Sequence, residues 1–214
     1  MHIATPLDAK ELINKEIPLS VRRHFVPLVQ NGYDLVTECM KKNTFLQWSI
    51  GERHRGYLDH IAVEYVLRDA AQSGTLGLKS SIIPNSNRSA LHLELESDNL
   101  KITVSRTSSK FKTARSAKFR SMLQKSNQLY WTEDYEIKEE PGYLQLTHGN
   151  DNGHLVFANL GIPDNKGGWY DFIDLTKEIN LIKNKNIEEN KIKPEQLVGF
   201  KNFAQGVLKV GGSS

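Results

Sequence analysis

The chain has 214 residues, 38% of them hydrophobic and 25% charged, enough to bury a core of its own. Its formal net charge of +3 is too small to argue for a polyanion partner by itself, and its single cysteine, Cys39, excludes an intramolecular disulfide and a cysteine-based zinc site. No apolar run reaches the roughly 20 residues of a membrane span and Met1–Leu28 has no secretory pattern, so a cytoplasmic protein without a membrane partner is expected.

The first 75 residues predict helices. Asp8 caps a short helix ending at Ile17, and Ser20, just after Pro18, caps a second that Pro27 interrupts. Val29, Tyr33, Val36 and Met40 then recur at helical spacing, with Cys39 among them as a core thiol. The clearest helix is Tyr57–Gln72, whose stripe is Leu58, Ile61, Ala62, Tyr65, Val66 and Ala70, with Gly74 as its stop. Ser73–Ser89, rich in Gly, Pro, Ser and Asn, reads as a loop.

Period two follows. Leu91, Leu93 and Leu95 alternate with His92, Glu94 and Glu96, and Leu100, Ile102 and Val104 alternate with Lys101, Thr103 and Ser105. A two-residue turn at Asp98-Asn99 sets Glu96 against Lys101, Leu95 against Ile102, Glu94 against Thr103, Leu93 against Val104 and His92 against Ser105. Apolar then meets apolar at every rung, and a one-residue slip breaks every match. The polar side of this hairpin reads as a wet sheet face.

From Lys101 to Lys125 there is no Asp or Glu, so this window carries +8 and the rest of the chain −5. Clustered cations of this kind attract an anion. The block predicts a loop, Thr107–Lys112, and a helix from Ala114 to about Ser126 with Phe119, Met122 and Leu123 on its core face. Lys110, Lys112 and Arg115 then crowd a helix start, where the macrodipole disfavours cations unless an anion sits there. Glu133–Glu140 is an acidic loop against which the block could fold instead.

Two strands, Gly142–Thr147 and His154–Asn159, are joined through Asn152-Gly153, a strong hairpin signal that sets His154 opposite Asp151 and separates it from His148, so no metal pair forms. Gly161–Gly168 reads as a loop that lacks the phosphate-binding G-x-x-x-x-G-K-[ST] pattern. A short apolar element, Trp169–Leu175, and a helix, Thr176 to about Asn184, follow.

Helices followed by strands and an inserted helix indicate an α+β fold around a mainly antiparallel sheet. The organisation expected is a helical segment over 1–75 packed on the core, an α+β core over 76–208 with antiparallel hairpins, and a linker-like tail over 209–214. Asn/Lys runs such as Lys183–Asn186 suggest a bacterial composition.

The leading functional expectation is a non-enzymatic, DNA- or RNA-binding protein, with Arg106, Lys110, Lys112, Arg115, Lys118, Arg120 and Lys125 against phosphates. An alternative partner is an acidic protein, with Phe111 as its apolar anchor between Lys110 and Lys112. A third set, His92, Glu94 and Glu96 with Lys101 opposite, has the residue types of a metal-dependent nuclease, although an open sheet face produces the same pattern. Glu136-Ile137-Lys138 has the E-x-K form of restriction-type nucleases, but the tripeptide is common and only two strands are predicted before the basic helix where three would be required. No cofactor and no resident metal are expected.

Overall fold

The computed structural model describes residues 9–85, 88–125, 127, 141–164, 166–182 and 199. The elements run α1 (Ala9–Glu16), α2 (Leu19–Arg22), α3 (Phe25–Lys42), a 3-10 turn (Thr44–Leu46), α4 (Ser49–Arg53) and α5 (Arg55–Gln72). Strands β1 (Lys79–Pro84), β2 (Leu91–Glu96) and β3 (Leu100–Arg106) follow, then α6 (Lys118–Lys125). Strands β4 (Gly142–Asp151), β5 (His154–Pro163) and β6 (Trp169–Asp174) precede α7 (Leu175–Ile182). The fold is α+β, and no described helix is long and apolar enough to cross a membrane.

The six strands lie in one sheet in chain order, antiparallel at every junction except β3–β4, which is parallel from Leu100–Gly142 to Arg106–His148. The β2–β3 ladder has the expected register, Glu96 opposite Lys101, Leu95 opposite Ile102 and Glu94 opposite Thr103. It stops there. The backbone amide of Leu93 donates instead to the Glu64 carboxylate of α5, 3.1 Å away, so an acidic side chain takes the place of the next rung. Asn152 and Gly153 both have positive φ and form the two-residue turn of the β4–β5 hairpin, with Asp151 opposite His154 as expected.

One face of the sheet carries the core. Leu93, Leu95, Ile102, Leu144, Leu146 and Leu160 meet Ile13 of α1, Val29 and Tyr33 of α3, and Val63 and Leu67 of α5. A smaller cluster of Val36, Met40, Ile61 and Ala62 binds α3 to α5, and Cys39 packs at its margin as a half-buried thiol. Gly32 allows that contact, since a Cβ there would meet the Val63 backbone at 2.9 Å.

Several expectations are corrected. Residues 79–84 are a strand, and its Ser-Ser pair and terminal Pro suit an edge position, where a proline need not donate to a ladder. Three strands therefore precede the basic helix, giving the order helix, three strands, helix, strand; Glu136–Lys138 and the acidic loop 133–140 lie outside the described residues. Pro27 does not interrupt a helix, because it occupies the first turn of α3, where its missing N–H has no intrahelical acceptor. Helix α6 starts at Lys118, not Ala114, and Met122 is exposed rather than core.

Candidate functional site

After β3 the chain turns across the face of the sheet opposite the core helices. The Thr107 amide donates to the His148 carbonyl at 2.9 Å, Thr113 to the Gly167 carbonyl at 3.0 Å, and Ala114 to the Gln145 side chain at 3.0 Å. The Lys110 carbonyl accepts from Asn159 at 2.7 Å and from the Trp169 indole at 2.9 Å. Phe119 stacks on His92, ring centres 3.9 Å apart. The basic segment is thus fastened along its inner side by backbone and aromatic contacts, which leaves four of its cations, Lys112, Arg115, Lys118 and Lys125, on the outer side.

Lys112, Arg115, Lys118 and Lys125 are exposed, and none has a carboxylate within 4 Å among the described residues. Arg115 and Lys125, with the inner residue Arg120, line a cleft of about 380 Å³ together with Thr113, Ser116, Ser121 and Gln145. Its one carboxylate, Asp164, is engaged: one of its oxygens accepts the amides of Lys166 and Gly168 at 2.8 and 2.7 Å. The cleft is therefore net cationic.

The remaining predicted cations differ in kind. Lys110 is half-buried, with its Nζ 5.1 Å from the centre of the Phe111 ring, and Phe111 itself is 66% exposed. Arg106 leaves the segment and lies 3.7 Å from Asp59 of α5. Arg120 faces inward, donating to the Arg115 carbonyl at 2.9 Å and the Ser105 hydroxyl at 3.1 Å, and burial depresses its pKa. Its job is to hold the segment down. Lys110, Lys112 and Arg115 do not crowd a helix start: all three stand in irregular chain before α6, which begins at Lys118.

The carboxylate face of β2 is not the open, wet surface that alternation implies. His92 and Glu94 are 8% and 5% exposed because the basic segment covers them. His92 Nε2 and Glu94 are 3.0 Å apart, and Lys101 lies 3.5 Å from Glu94 and 3.6 Å from Glu96. The hydrogen bond from His92, and then Lys101, hold the Glu94 pKa below its usual range despite burial. Among the described residues no group of three His, Cys, Asp or Glu is placed to hold a metal ion.

No family model, curated protein or solved structure matches this chain.

A second polar centre, not anticipated from the sequence, lies where the N-terminal part of α5 meets the end of the sheet. Asp59 is fully buried, accepts from Asn150 at 2.8 Å, and has Arg106 and Arg55 at 3.7 and 4.0 Å. Next to it His148, also fully buried, shares a 2.5 Å hydrogen bond with the Tyr33 hydroxyl. Burial, then the fields of His60 and Arg106, push the His148 pKa well below 6.5.

The depressed value sets a pH dependence. The unfolded chain binds a proton at this position near pH 6.5 while the folded chain does not, so folding stability is full above that pH and declines below it. Urea denaturation should show a loss approaching about 1.4 kcal/mol per pH unit from this group as pH falls through the window below 6.5. In His148→Gln the slope between pH 6.5 and 5.5 should flatten. An unchanged slope would remove His148 as its source.

Proposed function

We propose that this protein binds nucleic acid through the phosphate backbone, using the outward cations of the 101–125 segment. The observation that carries the reading is the two-sided construction of that segment. Its inner side is hydrogen-bonded to the sheet, while Lys112, Arg115, Lys118 and Lys125 stand exposed beside a cationic cleft. Cations on an ordered backbone spare a docking phosphate the cost of fixing the main chain, and each displaces a condensed counter-ion from the nucleic acid. Ser116 and Ser121 at the cleft are hydroxyl donors of the type that accompany phosphate contacts.

The test is fluorescence anisotropy with a labelled mixed-sequence oligonucleotide, presented as duplex and as single strand. With about four phosphates engaged, affinity should fall roughly 100-fold between about 50 and 200 mM salt. Absence of binding to either form at low salt would sink the proposal. The exposed Phe111 among these cations favours one competing reading, an acidic protein partner anchored by its ring. In that case Phe111→Ala should abolish capture of the partner, with nuclease treatment having no effect.

A further inference from the structure

Between α3 and α5 the chain builds a small shelf that the basic segment does not account for. Gln47 donates to the Met40 and Lys41 carbonyls at 3.0 and 2.9 Å, capping the end of α3. A Cβ on Gly51 would lie 2.6 Å from the Leu46 backbone, so α4 sits backbone-to-backbone on the 3-10 turn. These contacts make the shelf rigid. Yet its large side chains point to water: Phe45 is 68% exposed, Trp48 56% and Tyr57 52%. Three exposed aromatic rings on one short stretch, residues 45–57, are unusual for a surface without a ligand, since such rings are normally used to bury area.

The shelf is also cationic. Lys42 and Arg53 are exposed, as is Glu52 beside Arg53, and Arg55 leads into α5, where it lies 4.0 Å from Asp59. It is joined to the basic segment as well. Arg106 reaches Asp59, one turn beyond Arg55, and its guanidinium lies 2.8 Å from the point that a Cβ on Gly56 would occupy. The glycine at 56 lets the arginine lie against the start of α5, where Arg106 and Arg55 share the buried Asp59; with Lys42 and Arg53 these cations outnumber Asp59 and Glu52 by four to two.

Resting on the phosphate-binding reading above, we infer that the shelf of Phe45, Trp48 and Tyr57, flanked by Arg53, Arg55 and Arg106, stacks unpaired bases, so the preferred ligand is single-stranded nucleic acid. Cations follow the backbone, and the rings offer faces that any base can cover, without sequence preference. In a duplex those base faces are already stacked on one another and out of reach.

The experiment compares an oligodeoxythymidine single strand, a mixed duplex and polyglutamate as probes, by anisotropy, with wild-type protein, Trp48→Ala and Tyr57→Ala. Both side chains are more than half exposed, so the variants should keep the wild-type melting temperature. The expected result is single-strand binding at least about 10-fold tighter than duplex, reduced roughly 10-fold by either substitution while duplex binding stays unchanged. Equal binding of duplex and single strand that ignores Trp48 and Tyr57 would overturn this inference and leave phosphate binding standing. Binding of neither nucleic acid would overturn both. Polyglutamate binding that depends on Trp48, without nucleic-acid binding, would assign the shelf to an acidic protein instead.

Discussion

Replacing Lys112, Arg115 and Lys118 together by Glu should lower nucleic-acid affinity by more than about 100-fold at low salt and reduce the salt slope by about three units. The three side chains are exposed and have no acidic partner among the described residues, so the substitutions remove contacts without breaking internal ones. Each reversal loses one counter-ion release and places a repelling charge beside a phosphate. Lys177→Glu on α7, also exposed, makes one such change of charge away from the segment and should barely alter affinity. If the triple variant binds as the wild type does, the basic segment is not the interface. Arg120→Glu is a different experiment, because that guanidinium ties the segment to Ser105 and Arg115. Its loss should loosen the fold as well as the binding.

The largest stability effect is expected at Glu178. Arg22 is only 5% exposed, and its guanidinium makes a fork with Glu178 at 2.7 and 2.9 Å. It also donates to Asn14 and to the Ile17 carbonyl at 3.0 and 2.8 Å, so α1, α2 and α7 share one cation. Glu178→Ala leaves a buried guanidinium with no counter-charge, a change that typically costs about 3–5 kcal/mol. For a chain of this size the melting temperature should fall by about 6–20 °C. Arg22→Met combined with Glu178→Ala should recover much of the loss, because no isolated charge remains. A single Glu178→Ala variant that melts with the wild type would mean that Asn14 and the Ile17 carbonyl suffice.

Local pattern was a good guide wherever one strand reads its neighbour. The β2–β3 register and the Asn152-Gly153 turn follow from alternation and turn chemistry, which act over a few residues. The helical stripe of α5 was legible for the same reason. Strand β1 was not, because Ser80, Ser81 and Pro84 carry a turn-like composition that only an edge position accommodates. Alternation identified which side chains share a face, but not what covers that face. Glu94 and His92 lie under the chain's own basic segment, and covering of that kind is decided by tertiary packing. Arg22 illustrates the same limit, since its partner Glu178 is 156 residues away. Arg55 and Arg106 likewise meet only through Asp59, across 51 residues of chain. The buried centre of Asp59 and His148 draws on α5 and β4, so no spacing could reveal it.

The one parallel junction in the sheet has a further consequence. It divides the strands into two meanders, β1–β3 and β4–β6, each closed by short-range antiparallel contacts, and joins them across the 35 residues between Arg106 and Gly142. Each meander can nucleate by itself, whereas the joint must wait for a long loop to close, so assembly of the two halves is the slow event in folding. Closure entropy grows only logarithmically, however, and doubling such a loop adds about 0.6 kcal/mol. The part of this connection that carries the cations is fixed to β2, β4 and β5, so the same stretch also ties the two meanders together.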